Sequence, residues 1–434
     1  MGVPSHLPVH ARDRDGARGP DHRAATPARL RPRGRARHRL NGWPGGARAA
    51  VLAACIALIA PVPAPAQTGA ERVRIVYFNT ELARDGPGLL YRDILRADPQ
   101  VLAVARTLAH LSPDIAVLSG VDWDHEGRAL DALARRIAEA GHPMPHVFAG
   151  APNAGAGSGL DLDGDGRRGG PGDAQGYGRF RGEGALAVLS RHPIAADDLR
   201  DFSGLAWLDL PDNHAPEGTA PGQRLSSNAH WDLPVRIGAT SLRLLIWHAT
   251  PPVFDGPRDR NGRRNHDEAA LWLAYLRGRL AQPPPESRFI VLGDANLDPA
   301  DGDGRTLAIR TLLAHPALQD PAPRSRGAAL AAAAQGGPNA AQRGDPALDT
   351  ADWFEDPGDW DRAAPGNLRV DYILPSRDLQ VRDAGVFWPV PDTPDAAVFS
   401  VDGTPASRHH PVWVDIDIPG RGWDPRPLPE HPEK

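Results

Sequence analysis

Phe289-Ile290-Val291-Leu292-Gly293-Asp294-Ala295-Asn296 sets four apolar residues against a glycine and then places an acid and an amide two residues apart. The prolines Pro283-Pro284-Pro285 bound the run on one side and Gly293 on the other, which reads as a short buried strand. Residues i and i+2 of an extended chain point the same way, so Asp294 and Asn296 are predicted to face whatever lies beyond the strand end. An acid beside an amide suits a hydrolytic site, since one accepts hydrogen bonds and the other both donates and accepts. A plain strand-to-turn junction also favours Asp and Asn, and on this stretch alone both readings stand.

Working outward, the same pattern recurs. Leu242-Arg243-Leu244-Leu245-Ile246-Trp247-His248 is an apolar strand ending on a histidine. After it, Asn265 is placed as the cap of a helix starting at His266-Asp267-Glu268, with Glu268 in the capping-box position. Val370-Asp371-Tyr372-Ile373-Leu374 and Pro411-Val412-Trp413-Val414-Asp415-Ile416 are late strands. Nearer the start, Arg74 to Thr80 is a β-rich strand, Asp93 to Leu111 has helical spacing interrupted at Pro99, and Ile115-Ala116-Val117-Leu118 is a second strand. A helix over Ala129 to Ala140 and a strand over Gly184 to Ser190 follow, then a polar Pro/Gly-rich stretch to Leu233. Ala328 to Gln335 is an alanine-rich insertion loop or short surface helix. Helices alternating with strands, then strands alone, fit a layered α/β body with more than one sheet. The strand ends collect Asn79, Asp122, His248, Asp294, Asn296, Asp371 and His409, and that clustering argues for a site.

Composition narrows the partners. The chain has 434 residues, 41% hydrophobic and 24% charged, ample for a large core. Residues 1–66 hold 11 Arg against Asp13, Asp15 and Asp21, a net of +8, which leaves the remainder at −13 within the total of −5. A body this acidic is not built for sequence-independent attraction to a polyanion, so a phosphate substrate must be met by a local cluster or a metal. The apolar stretch Ala49 to Val62 follows Arg48 and closes in Pro63-Ala64-Pro65-Ala66, a secretory signal too short to span a membrane stably. It holds Cys55, the chain's one cysteine, so the mature chain is expected to be a disulfide-free monomer, secreted or periplasmic.

The ordered set Phe78-Asn79, Pro113-Asp114 with its strand, Leu189-Ser190-Arg191-His192-Pro193-Ile194, Trp247-His248, Gly293-Asp294-Ala295-Asn296, Val370-Asp371-Tyr372 and Ser407-Arg408-His409-His410-Pro411 resembles the endonuclease/exonuclease/phosphatase superfamily. The resemblance spans Val73 to Ile418. It implies a four-layer α-β-β-α sandwich, two packed mixed β-sheets flanked by helices, with a divalent-metal site at one end of the sheets. It further implies phosphoester hydrolysis by in-line attack of water. His409 matches the general base and Asp371 the carboxylate that orients it, with His410 a rival that strand register decides. Asp294 would align the water, Asn296 would hold phosphate and Asp294, and His248 would bond a non-bridging oxygen, where its charge helps. Asn79 matches a metal-site residue, and magnesium or manganese fits a site of acids and amides.

This chain departs from the family pattern twice. The family's Glu metal ligand aligns with Gly120, which makes Asp122, or else Asp124, the substitute ligand. The family's Asp before the base is here Arg408, placed to clamp a phosphate bidentately. Asn261 and Asn265 are further substrate contacts on this reading. Asp161-Leu162-Asp163-Gly164-Asp165-Gly166 matches the first half of a calcium loop, although the twelfth position is Gly172 rather than Glu; a calcium loop and a solvated loop both stand. The domain is expected over 71–418, with insertions near 150–178, 203–232 and 321–350 and a Pro-rich tail over 419–434. The functional expectation is a nuclease or phosphodiesterase whose substrate is a phosphate ester, nucleic acid among the candidates. A phosphomonoesterase and a binding module that has lost its metal are the alternatives.

Overall fold

Ile75 and Tyr77 pack into one cluster of buried side chains while Val76 and Phe78, their neighbours on the same strand, pack into another. A strand covered on both faces has no polar side to show, and Ile75 to Phe78 are accordingly all buried, although the segment reads from sequence as alternating. The computed structural model describes residues 70–354 and 364–419. The apolar stretch Ala49 to Val62 with Cys55, expected to be a secretory signal, and the tail from residue 420 lie outside the described residues.

Two main sheets carry the fold. The six-stranded sheet runs, edge to edge, Gln380–Val386, Val412–Ile418, Glu71–Asn79, Ile115–Val121, Ala185–Ser190 and His146–Phe148. The five-stranded sheet runs Asp371–Pro375, Phe289–Asp294, Thr240–His248, His230–Ile237 and Arg200–Asp201. Each holds one parallel pair in its interior and antiparallel pairs elsewhere, so both are mixed. Between them lies a core in which Ile75, Val117 and Val414 of one sheet meet Leu244, Ile290 and Ile373 of the other. The outer face of the six-stranded sheet is covered by helices Leu89–Leu95, Pro99–Leu111 and Arg128–Glu139. The outer face of the five-stranded sheet is covered by Arg260–Leu276 and Leu307–Leu313. The result is the expected α-β-β-α order of layers.

Local chemistry explains the breaks. Pro99 opens a new helix at its first position, and Asp98 caps it by accepting the N–H groups of Gln100 and Val101, so the periodic stretch is two helices. The long helix begins at Arg260, six residues before the expected start, which puts Asn265 and Glu268 inside it rather than at its cap. The strand His230–Ile237 falls within the stretch read as polar and Pro-rich, because Pro234 argues against a strand inside a sheet. Its outer neighbours are the two-residue Arg200–Asp201, paired at Trp231 and Asp232, and an isolated bridge from Ile194 to Val235, so beside Pro234 there is no continuous ladder that needs its missing N–H. The alanine-rich segment is the helix Arg326–Gln335, capped by Ser325. Among the described residues no helix is long and apolar enough to cross a membrane.

Candidate active site

Three strands of the five-stranded sheet bring their ends onto one rung. His248 lies opposite Asp294 across the parallel pair, and Asp371 lies opposite Asp294 across the antiparallel pair. Gly293 makes this possible, since a Cβ there would sit 2.0 Å from the Trp247 carbonyl oxygen. The six-stranded sheet contributes the other half. Asn79 ends its first strand, and His409 enters just ahead of Val412, which pairs with Tyr77. Residues far apart in sequence thus meet where the two sheets' ends converge.

The contacts are short. His409 Nδ1 lies 2.8 Å from Asp371 Oδ2, and Asn79 donates through Nδ2 to Asp294 Oδ2 at 2.9 Å. His409 Nε2 is 3.4 Å from Asn79 Nδ2 and 4.0 Å from Asp294 Oδ2; His248 Nε2 is 3.6 Å from the same oxygen. All of Asp294, Asp371 and His409 are buried. Burial alone would pull His409 down, but Asp371, Asp294 and Glu81 outweigh it and hold the imidazole up at about 9. Burial and the Asp371 charge push Asp294 up to about 7. Burial, with the His409 charge beside it, drives His248 down to about 4, so it is a neutral imidazole. His410 stacks between Trp388 and Phe399 at 3.8 and 4.7 Å with Nδ1 toward the Phe387 carbonyl, which turns it away from Asp371.

Asn296 departs from its expected geometry. The strand stops at Asp294, and Asn296 adopts the left-handed conformation, φ 47°. Its backbone N–H caps Asp294 Oδ1 at 2.7 Å, and its side chain holds the Ala249 carbonyl at 2.9 Å. Asn296 therefore buttresses Asp294 through a turn rather than by projecting beside it.

The substitute metal ligands lie elsewhere. Asp122 accepts the N–H groups of Arg84 and Gly184 at 3.0 and 3.1 Å and faces a small cavity with Trp123 and Leu130. Asp124 accepts from Arg128 and Ala129 at 2.9 and 2.8 Å, fastening the start of a helix. Both carboxylates are committed to backbone, and neither lines the cleft beside Asn79. Gly120 has no room for a side chain: its φ is +72°, and a Cβ would lie 2.7 Å from the Glu81 nitrogen and 2.9 Å from Asn79 Oδ1. The Glu81 backbone runs through that place, and Glu81 lines the same cleft as Asn79. The sequence signal was available, since Glu81 stands two residues past Asn79 at a strand end, as Asn296 stands past Asp294. Both Glu81 oxygens are engaged, one by Arg408 Nε and Nη2 and the other by Ser407 Oγ and the Arg408 N–H. Arg408 also lies 4.4 Å over the Trp353 ring.

Asn79, Glu81 and His248 open onto a cleft of about 1210 Å³. Leu162, Asp163 and Tyr177 of the Gly-rich loop line it, as do Arg258, Asn261 and Arg264 at the start of the long helix. Asn261 is on the cleft, but its Nδ2 is spent on the Val253 carbonyl. Asn265 is fully buried and ties the Thr250 and Ala295 carbonyls together at 2.8 and 2.7 Å, so it shapes the wall without touching a substrate. Asp161, Asp163 and Asp165 converge within 4.8 Å and are exposed. The loop's closing position is backbone, because a Cβ at Gly172 would lie 2.3 Å from Asp163 Oδ2, and the Asp173 carboxylate turns to the Leu162 N–H at 2.7 Å instead.

Residues 76–409 match the model of the endonuclease/exonuclease/phosphatase family. No curated protein matches the chain. Solved structures similar to it include an endonuclease/exonuclease/phosphatase from Beutenbergia cavernae DSM 12333, at 18% identity over 80% of this chain and 72% of that one, with a TM-score of 0.45. Sphingomyelinase C from Streptomyces griseocarneus is 15% identical over 80% of this chain and 99% of its own, TM-score 0.41. Truncated TDP2 from Caenorhabditis elegans is 15% identical over 80% and 98%, TM-score 0.42.

Proposed function

The chain belongs to the endonuclease/exonuclease/phosphatase family, and on that premise we propose that it is a metal-dependent hydrolase of phosphodiester bonds. The observation that carries this reading is the Asp371–His409 pair, 2.8 Å apart, beside the Asp294–Asn79 contact. Asp371 accepts the Nδ1 proton of His409 and so fixes the tautomer in which Nε2, once it has lost the proton that the surrounding carboxylates hold on it up to about pH 9, takes a proton from water. Asp294, held by Asn79 and by the Asn296 N–H, aligns that water. The new bond forms between the water oxygen and phosphorus as the bond to the leaving oxygen breaks in line, and the water's proton passes to His409. His248 donates to a non-bridging oxygen as a neutral imidazole, in place of the cationic role expected from sequence. The oxygen donors of Asn79, Glu81 and Asp294 suit a hard divalent cation, magnesium or manganese, which when bound supplies countercharge to the phosphate and to these carboxylates. Arg408, already beside Glu81, is the candidate phosphate clamp. Calcium at the Asp161 loop, secretion directed by Ala49 to Val62, and nucleic acid as the substrate belong to the same proposal.

The test is turnover of bis-p-nitrophenyl phosphate and of plasmid DNA with magnesium, manganese, calcium or chelator. Metal-dependent hydrolysis abolished by His409→Ala is the expected result. Two observations favour a second reading, a phosphate-binding module without turnover: Arg408 occupies Glu81, and His409 is only 1% exposed. A folded protein that binds phosphate esters and hydrolyses neither substrate with any metal would establish that reading instead.

A further inference from the structure

Away from the cleft's acids, two imidazoles converge on one oxygen. His214 Nδ1 and His266 Nδ1 each lie 2.9 Å from Asp267 Oδ1, and the two rings stand 4.2 Å apart at 80°. The other oxygen, Oδ2, is taken separately: it accepts the Trp207 indole N–H at 2.7 Å and the His214 backbone N–H at 2.6 Å. Asp267 is thus a fully buried carboxylate whose orientation is fixed from one side, leaving Oδ1 aimed between two ring nitrogens. The donor atoms of all three residues lie within 4.8 Å of one another.

We propose that His214, His266 and Asp267 form a site for a borderline transition-metal cation, zinc above all, distinct from the oxygen-rich active site. Two nitrogens and one carboxylate oxygen are a donor set that zinc takes readily, with solvent as the fourth ligand. Zinc sits about 2.0–2.1 Å from such ligands, so neighbouring donors in a tetrahedron stand about 3.3 Å apart. The present spacing of 2.9 Å needs to open by only a few tenths of an ångström. The cation replaces the two Nδ1 protons that now point at Oδ1. Trp207 and the His214 backbone already do what outer partners do for a ligating carboxylate, holding its second oxygen and its plane. Access is available, because the His214 side chain is 40% exposed while His266 and Asp267 are buried.

The site joins two parts of the chain that share no strand. His214 sits in the loop after Trp207, and His266 and Asp267 sit in the long helix whose first turns, at Arg260, Asn261 and Arg264, line the cleft. Zinc here fastens that loop to the helix and stiffens one wall of the cleft from behind.

Cobalt(II) provides the test, since in a four-coordinate site with two nitrogens it absorbs strongly in the visible, whereas bound to oxygens and water in six-coordinate form it absorbs weakly. The untagged full chain, stripped with chelator, is expected to bind one equivalent with the strong bands, to lose them on adding zinc, and to gain several degrees in Tm from zinc. His409→Ala should keep the bands and His214→Gln should lose them, with unchanged circular dichroism in both. Absence of strong bands in the wild-type chain, or their survival in His214→Gln, overturns the proposal. Neither outcome depends on phosphodiester turnover, so this site and the catalytic reading fail separately.

Discussion

Gly120 and Arg408 are the two positions read as departures from the family pattern, and beside Gly120 stands Glu81, paired with Arg408. A carboxylate that a guanidinium already holds competes poorly for a cation, so on the proposed reading the pair tunes metal affinity. Burial raises the Glu81 carboxyl, but His409 and Arg408 outweigh that and hold it below its ordinary value, consistent with a committed anion. Arg408→Ala is expected to lower the magnesium concentration for half-maximal turnover, and Glu81→Gln to raise it; a magnesium titration of both variants decides. Restoring the family's acid by Gly120→Glu is expected to fail. The new side chain would meet the Glu81 backbone at 2.7 Å in a left-handed conformation, at a cost of about 1–3 kcal/mol visible as a lower urea midpoint. A midpoint equal to wild type would mean that residues 79–81 yield easily and that Asn79 is less firmly placed than described. The convergence of His409, Asp371 and His248 was legible in the sequence because each stands at one end of an apolar run, His248 closing its strand and Asp371 and His409 coming at or ahead of the start of theirs. Asp122 was misleading for the same reason: it too follows a strand, but the chain turns at Gly120 and sends its carboxylate to backbone N–H groups instead.

Helix and loop boundaries follow from buried polar groups that periodicity does not register. The long helix starts at Arg260 because Asn265 and Glu268 have work inside the fold. Glu268 accepts from Ser227 and Thr250, and Asn265 spans the Thr250 and Ala295 carbonyls. Both read from sequence as a capping box, since acid and amide at that spacing serve a cap equally well. Asn265→Ala strands two buried carbonyls and is expected to cost about 1–3 kcal/mol. Because those carbonyls flank the strand ends carrying His248 and Asp294, the variant should also raise KM more than it lowers kcat in a phosphodiester assay. An unchanged KM would show that the wall does not position substrate. The strand at His230 escaped notice for a different reason: Pro234 has no N–H to give the outer neighbour, which beside it is an isolated bridge at Ile194 rather than a continuous strand, and its carbonyl still accepts from Ala195.

At the scale of the molecule, buried histidines make stability depend on pH. His230 and His410 are both driven down to about 3 by burial, from an ordinary 6.5. Each is neutral when folded and takes up a proton on unfolding below 6.5. Their contribution is therefore fully present above that pH and is lost as pH falls toward 3, at up to about 1.4 kcal/mol per pH unit for each. His410→Phe, which keeps a flat ring between Trp388 and Phe399, should lose less stability than wild type between pH 7.5 and 4.5, as read from urea midpoints. Equal losses would show that His410 is not held neutral. The layered fold was legible because its strands are apolar on both faces, whereas the cleft walls were not, since loops closed by backbone and side-chain hydrogen bonds leave no period to read. One consequence concerns how the chain is made. The first strand lies between the second and the last, with Glu71 opposite Ile418, and Asn79 meets His409 across 330 residues. A nascent chain must therefore keep an apolar strand with one side unpaired until nearly all of its sequence has emerged from the ribosome. Any product that ends early lacks both His409 and the partner for that edge, and exposes a template for aggregation. The pairing that closes the sheet edge and the contact that completes the site thus form in the same late step.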